Sequence, residues 1–448
     1  MALSRGVAGL AGLVLLSGCS MDSVFGVAPV QTAAIVVGDE PYAVKAAAAI
    51  MGEGGNAVDA ATALYFALSV TYPVAAGLGG GGICLVHDPA SGRNEEFDFL
   101  ARDSAGGGAY AVPGNVRGFS AMQTALGALP WQRVISPAER YAAAGFSISL
   151  ALANRLKAAE DVIRLDAGLA AEFMDESGHA KTAGTEVSNR EFAAALAAIR
   201  TEGSDALYTG AIGDRIVAYS SAQGGTLTAA ELAAYPSTRA VPHVVRFASQ
   251  DLLLPGENTG AGVFARALLD NLARTQTMAA ASGNTEAAIV AATKQTLSRF
   301  GVADLPSDLG ATGFAAIDKN GQAVACAVTM NGPFGSGHTA QGTGITLARA
   351  PSSSKAGLAA AFLTPAIAID GDGQVDLAGA GAGGPIGTAS IADALARLGK
   401  GQIVTRRGDT GVTGVALYDT VNAILCQDGS CTALLDANAN GLGAAPTQ

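Results

Sequence analysis

The chain has 448 residues, 49% of them hydrophobic and 15% charged, with 59 glycines and a formal net charge of −11. That length suffices for a large buried core, in one big domain or two close-packed ones. Lys and Arg total 27 and form no concentrated patch, which excludes a nucleic-acid partner held by electrostatics; the one basic pair of note, Arg406-Arg407, reads as solvated surface.

The first 18 residues read as an address. Arg5 gives a weak positive start, Val7 to Leu16 is apolar, and Leu16-Ser17-Gly18-Cys19 follows. The apolar run is too short to span a bilayer as a helix. This segment resembles a bacterial lipoprotein signal in which Cys19 becomes the lipidated first residue; the other reading is a cleaved secretory peptide with an incidental cysteine. Ser20 resembles the outer-membrane-directed type, and residues 19–31 read as a tether. The expectation is a protein on the periplasmic side of a bacterial membrane, held at the outer membrane by acyl chains, with the membrane and an envelope protein as candidate partners.

The folded part opens with a strand at 33–37, a helix over 42–51 and a buried, alanine-rich helix over 56–70. Gly77-Leu78-Gly79-Gly80-Gly81-Gly82 leads into a strand at 83–87, and the Asp88-Pro89-Ala90-Ser91-Gly92 turn predicts a return strand at 93–100. Residues 116–200 read as short helices punctuated by Gly127, Pro130, Pro137 and Gly145. Thr228 opens a capping box, and helices are predicted at 262–272 and 286–300. After Gly310 the pattern changes to small-residue strands at 313–318, 323–329, 345–348, 366–369, 375–378, 412–418 and 423–426, with one helix at 386–398. Strands on both sides of a helical middle predict helices layered on a central sheet.

Lipidation of Cys19 leaves four of the five cysteines. Cys426 and Cys431 flank a turn-forming Asp428-Gly429, which suits a disulfide-closed hairpin. Cys84 and Cys326 sit in apolar runs and read as buried free thiols. No histidine stands at metal-ligand spacing from a cysteine, so neither a metal nor a cofactor is expected. The glycine run at 79–82 lacks a phosphate-binding fingerprint and reads first as a tight reversal, with an anion cradle as the alternative. None of the four histidines is flanked by a nucleophile motif. Without a histidine base, a threonine activated by its own amine is the other route to a reactive hydroxyl.

Several segments together resemble the gamma-glutamyltransferase family of N-terminal-nucleophile hydrolases. They are Gly52-Glu53-Gly54-Gly55-Asn56-Ala57-Val58-Asp59, the run from Tyr72-Pro73 to Gly82, Val112-Pro113-Gly114, Asp205-Ala206-Leu207-Tyr208-Thr209-Gly210, Asn331-Gly332-Pro333-Phe334-Gly335-Ser336-Gly337 and Gly383-Gly384. The resemblance spans roughly 33–400. It implies an α+β fold, the four-layer αββα sandwich, built as one composite domain from a large-subunit-like region, 32–310, and a small-subunit-like region, 311–448. It also implies a precursor cut ahead of a threonine whose hydroxyl attacks a gamma-glutamyl amide.

The residues depart from that pattern at the site itself. The family reads Thr-Thr-His-Phe/Tyr-Ser where this chain reads Ala311-Thr312-Gly313-Phe314-Ala315, so the nucleophile position holds Ala311. The paired serines that grip the substrate carboxylate correspond to Ala361 and Phe362. The carboxylate-clamping arginine falls on Leu100 in direct register and on Arg102 with a two-residue insertion. Thr329, Asn331, Gly383 and Gly384 match and, with Arg102, form the remnant pocket that the resemblance implies. The expectation is an uncleaved pseudoenzyme with a binding or structural role in the envelope. The alternative is a divergent gamma-glutamyl hydrolase, transferase or amidase that uses Thr312 after autocleavage.

Overall fold

In the computed structural model, residues 31–446 are described, apart from 33, 248, 280–284, 303–304, 399–419, 428 and 436–439. The expected signal, Cys19, the tether short of residue 31, Arg406-Arg407 and the strand expected at 412–418 lie outside the described residues. Fourteen strands form the two main sheets. They are β1 (Gln31–Thr32), β2 (Ile35–Gly38), β3 (Gly81–Asp88), β4 (Arg93–Phe99), β5 (Thr238–Ala240), β6 (His243–Phe247), β7 (Gln250–Leu254), β8 (Ala311–Ile317), β9 (Ala323–Thr329), β10 (Thr364–Ile369), β11 (Val375–Ala382), β12 (Thr420–Gln427), β13 (Ser430–Leu435) and β14 (Leu442–Ala444).

The first sheet runs β14-β2-β8-β9-β3-β4-β5 and the second β1-β13-β12-β11-β10-β7-β6. Their mutual packing buries Ile35, Val37, Leu85, Leu253, Ala315, Ile367 and Ile424 between them. Helices α1 (Pro41–Gly52) and α2 (Ala57–Thr71) cover the outer face of the first sheet, and the helix Pro385–Leu398 covers that of the second. The architecture is therefore the expected α+β sandwich of four layers. Strands from both sides of residue 310 interleave in each sheet, so neither region could bury its apolar faces alone.

Local sequence explains the central helices. Every residue of α2 is buried, as its alanine-rich, all-round apolar sequence requires. Its start is fixed by a capping box: Asn56 Oδ1 accepts the Asp59 N–H at 3.0 Å and Asp59 Oδ2 accepts the Asn56 N–H at 2.8 Å. Helix α1 has Pro41 in its first turn and Glu40 as its cap, accepting the Ala43 N–H at 2.9 Å.

Glu40 is fully buried, and that burial pushes its carboxyl up to about 7 from 4.5, against the hydrogen bonds from Thr71 and Ala43. Between those pH values the unfolded chain has lost a proton that the folded chain keeps. Stability therefore falls as pH rises from about 4.5 to about 7 and is flat above. Glu40→Gln keeps a cap acceptor and cannot ionise. Relative to wild type, E40Q is expected to gain roughly 3 kcal/mol between pH 4 and pH 8, read from urea unfolding; parallel pH profiles for the two proteins would refute this.

The cysteines require a correction. Cys84 and Cys326 are not free thiols but a disulfide, joining residues 242 apart in sequence; Cys426–Cys431 is a second disulfide, as expected. Both pairs stand directly opposite each other on neighbouring antiparallel strands, Cys84 on β3 with Cys326 on β9, and Cys426 on β12 with Cys431 on β13. An apolar run hides a thiol from water but says nothing about what it faces across the ladder, and here it faces another thiol.

Candidate active site

The region to which the site residues point is the start of β8. Side chains alternate along it. Ala311 and Ala315 face the gap between the sheets, whereas Phe314 and Ala316 join the core beneath α1 and α2. The Ala311 methyl is fully buried among Ile83, Ala261, Ala327, Leu363, Ala380 and Ala382, with Leu100 packed against the group. The position to which the family resemblance assigns the nucleophile thus holds a methyl in an apolar enclosure.

Thr312 lies one residue on and faces the other way. It is fully buried, and its Oγ1 donates to Asp39 Oδ2 at 2.6 Å. The other Asp39 oxygen accepts from Asn422 Nδ2 at 2.7 Å, and the same Asn422 nitrogen donates to the Gly313 carbonyl at 2.9 Å. The Thr312 hydroxyl is part of a network that ties β8 to β12.

The backbone around the Gly310–Ala311 peptide bond is held on both sides. The Gly310 carbonyl accepts from the Met330 N–H at 2.8 Å and from Thr329 Oγ1 at 3.0 Å. Asn331, next along, has its backbone in the left-handed region (φ 56°), uncommon for a non-glycine residue. Asn331 Nδ2 donates to the Arg349 carbonyl at 2.9 Å, and its buried Oδ1 accepts no hydrogen bond. Thr329 and Asn331 are thus brought to the Gly310–Ala311 junction. At Gly310 (φ +61°) a Cβ would collide with the Gly332 backbone, so glycine is required.

Two residues that the sequence did not single out complete the region. Arg155, on the helix Leu150–Ala158, forms a buried two-pronged ion pair with Asp308, with Nε 3.1 Å from Oδ2 and Nη2 on Oδ1. Its Nη1 donates to the Ala311 carbonyl at 3.2 Å. Burial opposes the Arg155 charge, but Asp308 and Tyr72 more than offset that and raise its pKa further. The anchor therefore stays ionised at every working pH. An arginine inside a helical pattern carries no local signal of a partner 153 residues away.

The other implied positions are dispersed. Leu100 packs against the Ala311 cluster, whereas exposed Arg102 lies on the short ladder with Val112, its guanidinium 5.4 Å from the centre of the Tyr235 ring. Phe362 is buried in the far core, 5.0 Å from the Phe264 ring centre. Gly383 and Gly384, both with positive φ, follow β11 next to Ala382 of the enclosure. His338, which follows Gly335-Ser336-Gly337, has Nδ1 3.0 Å from the Tyr110 hydroxyl. The glycine run at 79–82 serves close backbone approach: a Cβ at Gly79 would strike the Thr346 carbonyl, and one at Gly81 the Ala101 amide.

Residues 43–298 match the profile of the family described as gamma-glutamyltranspeptidase. The chain belongs to that family. The matched segment ends before Ala311. Among curated relatives, it is 31% identical over 265 residues to the acylase ACY 1 proenzyme of Pseudomonas sp. strain SE83, covering 53% of this chain and 47% of that one. It is 34% identical over 215 residues to the glutathione hydrolase proenzyme of Escherichia coli K12, covering 43% and 37%. The chain thus spans about half the length, or less, of these family members. Its fold matches the cephalosporin acylase of Bacillus halodurans with a TM-score of 0.74 at 18% identity, over 97% of this chain and all of that one. That likeness shows the shared sandwich.

Proposed function

We propose that this chain is a catalytically silent member of the gamma-glutamyltranspeptidase family: uncut, anchored by lipid at Cys19 on the periplasmic side of a bacterial outer membrane, and serving there as a binding or structural protein. The observation that carries the reading is Ala311, a methyl enclosed by Ile83, Ala261, Leu363 and Leu100. A covalent acyl step needs a nucleophilic atom next to a base, and alanine supplies none. Phe362 and Leu100, where the family resemblance implies carboxylate-gripping groups, offer no hydrogen bond to a charged amino acid that must shed water to enter. The hydroxyl of the adjacent Thr312 faces the opposite side of the sheet and is bonded to Asp39, and that of Thr329, across the ladder from Ala311, donates to the Leu309 and Gly310 carbonyls.

Intact-mass analysis of the mature protein tests this directly. The expected spectrum is one chain beginning at an acylated Cys19 and carrying two disulfides. Two fragments parted ahead of Thr312, or release of glutamate from glutathione by the purified protein, would establish the divergent hydrolase or amidase instead.

A further inference from the structure

A cavity of about 510 Å³ opens where the outer strands of the two sheets part, with Glu96, Asp98, Arg102, His243, Gly256 and Glu257 among its lining residues. That is within the usual size of a small-molecule site. Glu96 and Asp98 lie on β4 opposite Leu85 and Ile83, both of which pack between the sheets. Opposed residues in a ladder share a face, so both carboxylates point to the side on which Leu85 and Ile83 pack between the sheets.

Their charges are poorly compensated. Glu96 is fully buried; Oε2 accepts the Gly256 N–H at 2.6 Å, and the buried Oε1 accepts no hydrogen bond. Half-buried Asp98 accepts the Leu100 N–H at 3.0 Å. The nearby arginines act on them only through space: Arg102 lies over the Tyr235 ring and Arg266 donates to the Pro255 carbonyl. Burial raises both carboxyl pKa values, opposed for Glu96 by the Gly256 N–H and Arg266 and for Asp98 by the Leu100 N–H and Arg102. An isolated buried acceptor of this kind is costly unless a donor arrives.

We propose that this cavity binds a small organic cation bearing primary ammonium groups, held between Glu96 and Asp98. An ammonium brings three donors and the missing charge. Residues two apart on a strand are spaced by about 6.5–7 Å along it, which suits a short diamine with one ammonium at each carboxylate. A hard metal ion fits less well: it takes six or more oxygen ligands, and among the described residues no group of three or more His, Cys, Asp or Glu side chains is arranged to hold one.

The test is calorimetric titration of the full chain with 1,4-diaminobutane, and with butane-1,4-diol as the neutral control. The diamine should bind and the diol should not. Glu96→Gln, which keeps an acceptor for Gly256, and Asp98→Asn should each weaken the diamine by tenfold or more. No diamine binding by folded wild type, equal binding of the diol, or undiminished affinity in the variants would overturn the proposal. So would Mg²⁺ or Ca²⁺ binding that vanishes in both variants while the diamine leaves no heat. Should E96Q fail to fold, the half-buried D98N and the diamine–diol pair still decide.

Discussion

Arg155→Met is expected to destabilise the protein by about 3–5 kcal/mol, the loss that follows when one partner of a buried ion pair is removed and the other stays charged. Asp308 would keep its Gly310 N–H contact at 2.7 Å but lose both guanidinium donors, and the Ala311 carbonyl would lose Nη1. Methionine roughly fills the space, so little of the loss would come from a cavity. The double variant R155M/D308N removes the stranded charge and should recover a substantial part of the loss. Urea unfolding of the three proteins measures this. A single-variant loss below about 1 kcal/mol, the scale of an exposed pair, would show that the pair is not the anchor its burial implies.

Removing the Cys84–Cys326 disulfide is expected to cost more than removing Cys426–Cys431, and by a predictable margin. In the chain-entropy account the stabilisation grows with the logarithm of the loop closed. Loops of 242 and 5 residues give about 5.5 and about 2 kcal/mol at 25 °C. Guanidinium unfolding of the C84A/C326A and C426A/C431A double variants compares them. Equal losses would mean that strand pairing already restrains β3 against β9 in the unfolded ensemble, so that the bond adds little. The long-range bond also sits within the central ladder of the first sheet, so its loss should loosen that ladder before the β12–β13 hairpin, which only the two-residue β1 separates from the second sheet's edge.

Much of the architecture is legible in the sequence because its signals are local. The capping box at Asn56 and Asp59, the turn at 88–92 and the alanine-rich stretch of α2 each declare themselves within a few residues. The three strands between Thr238 and Leu254 do not. Along β6, half-buried and exposed residues alternate at the sheet's edge, and this edge pattern is weak beside the helices that flank it. The strand expected at 345–348 shrinks to Ile345–Thr346 in a side ladder with Thr339–Ala340, because the chain beyond it turns to other partners, Leu347 bridging to Gly79 and the Ala348 N–H donating to the Gly79 carbonyl.

The site was half legible. Ala311 could be placed by counting from Asp318 and Gly321, and the structure puts it where β8 begins. Whether Leu100 or Arg102 corresponds to the clamping arginine depends on strand register, which a two-residue ambiguity leaves on the same face. It is Leu100 that meets the Ala311 enclosure. The Cys84–Cys326 bond, the Arg155–Asp308 pair and the Asp39–Thr312 contact all join residues more than 150 positions apart. Contacts of that kind arise only once the sheets have assembled, so no local pattern announces them.

The alternation along β8 limits how easily the Thr312 hydroxyl could be turned to face the other sheet. Deleting one residue ahead of Thr312 would swing its oxygen into the inter-sheet gap, but the same half-turn would drag every later side chain with it. Phe314, now 6.4 Å from Phe119 in the stack beneath α2, would be driven into a layer so thin that a Cβ at neighbouring Gly313 already collides with Ala380. Thr312 is thereby held on the helix side of the strand, and the aromatic ring two residues on acts as a ratchet that locks the register.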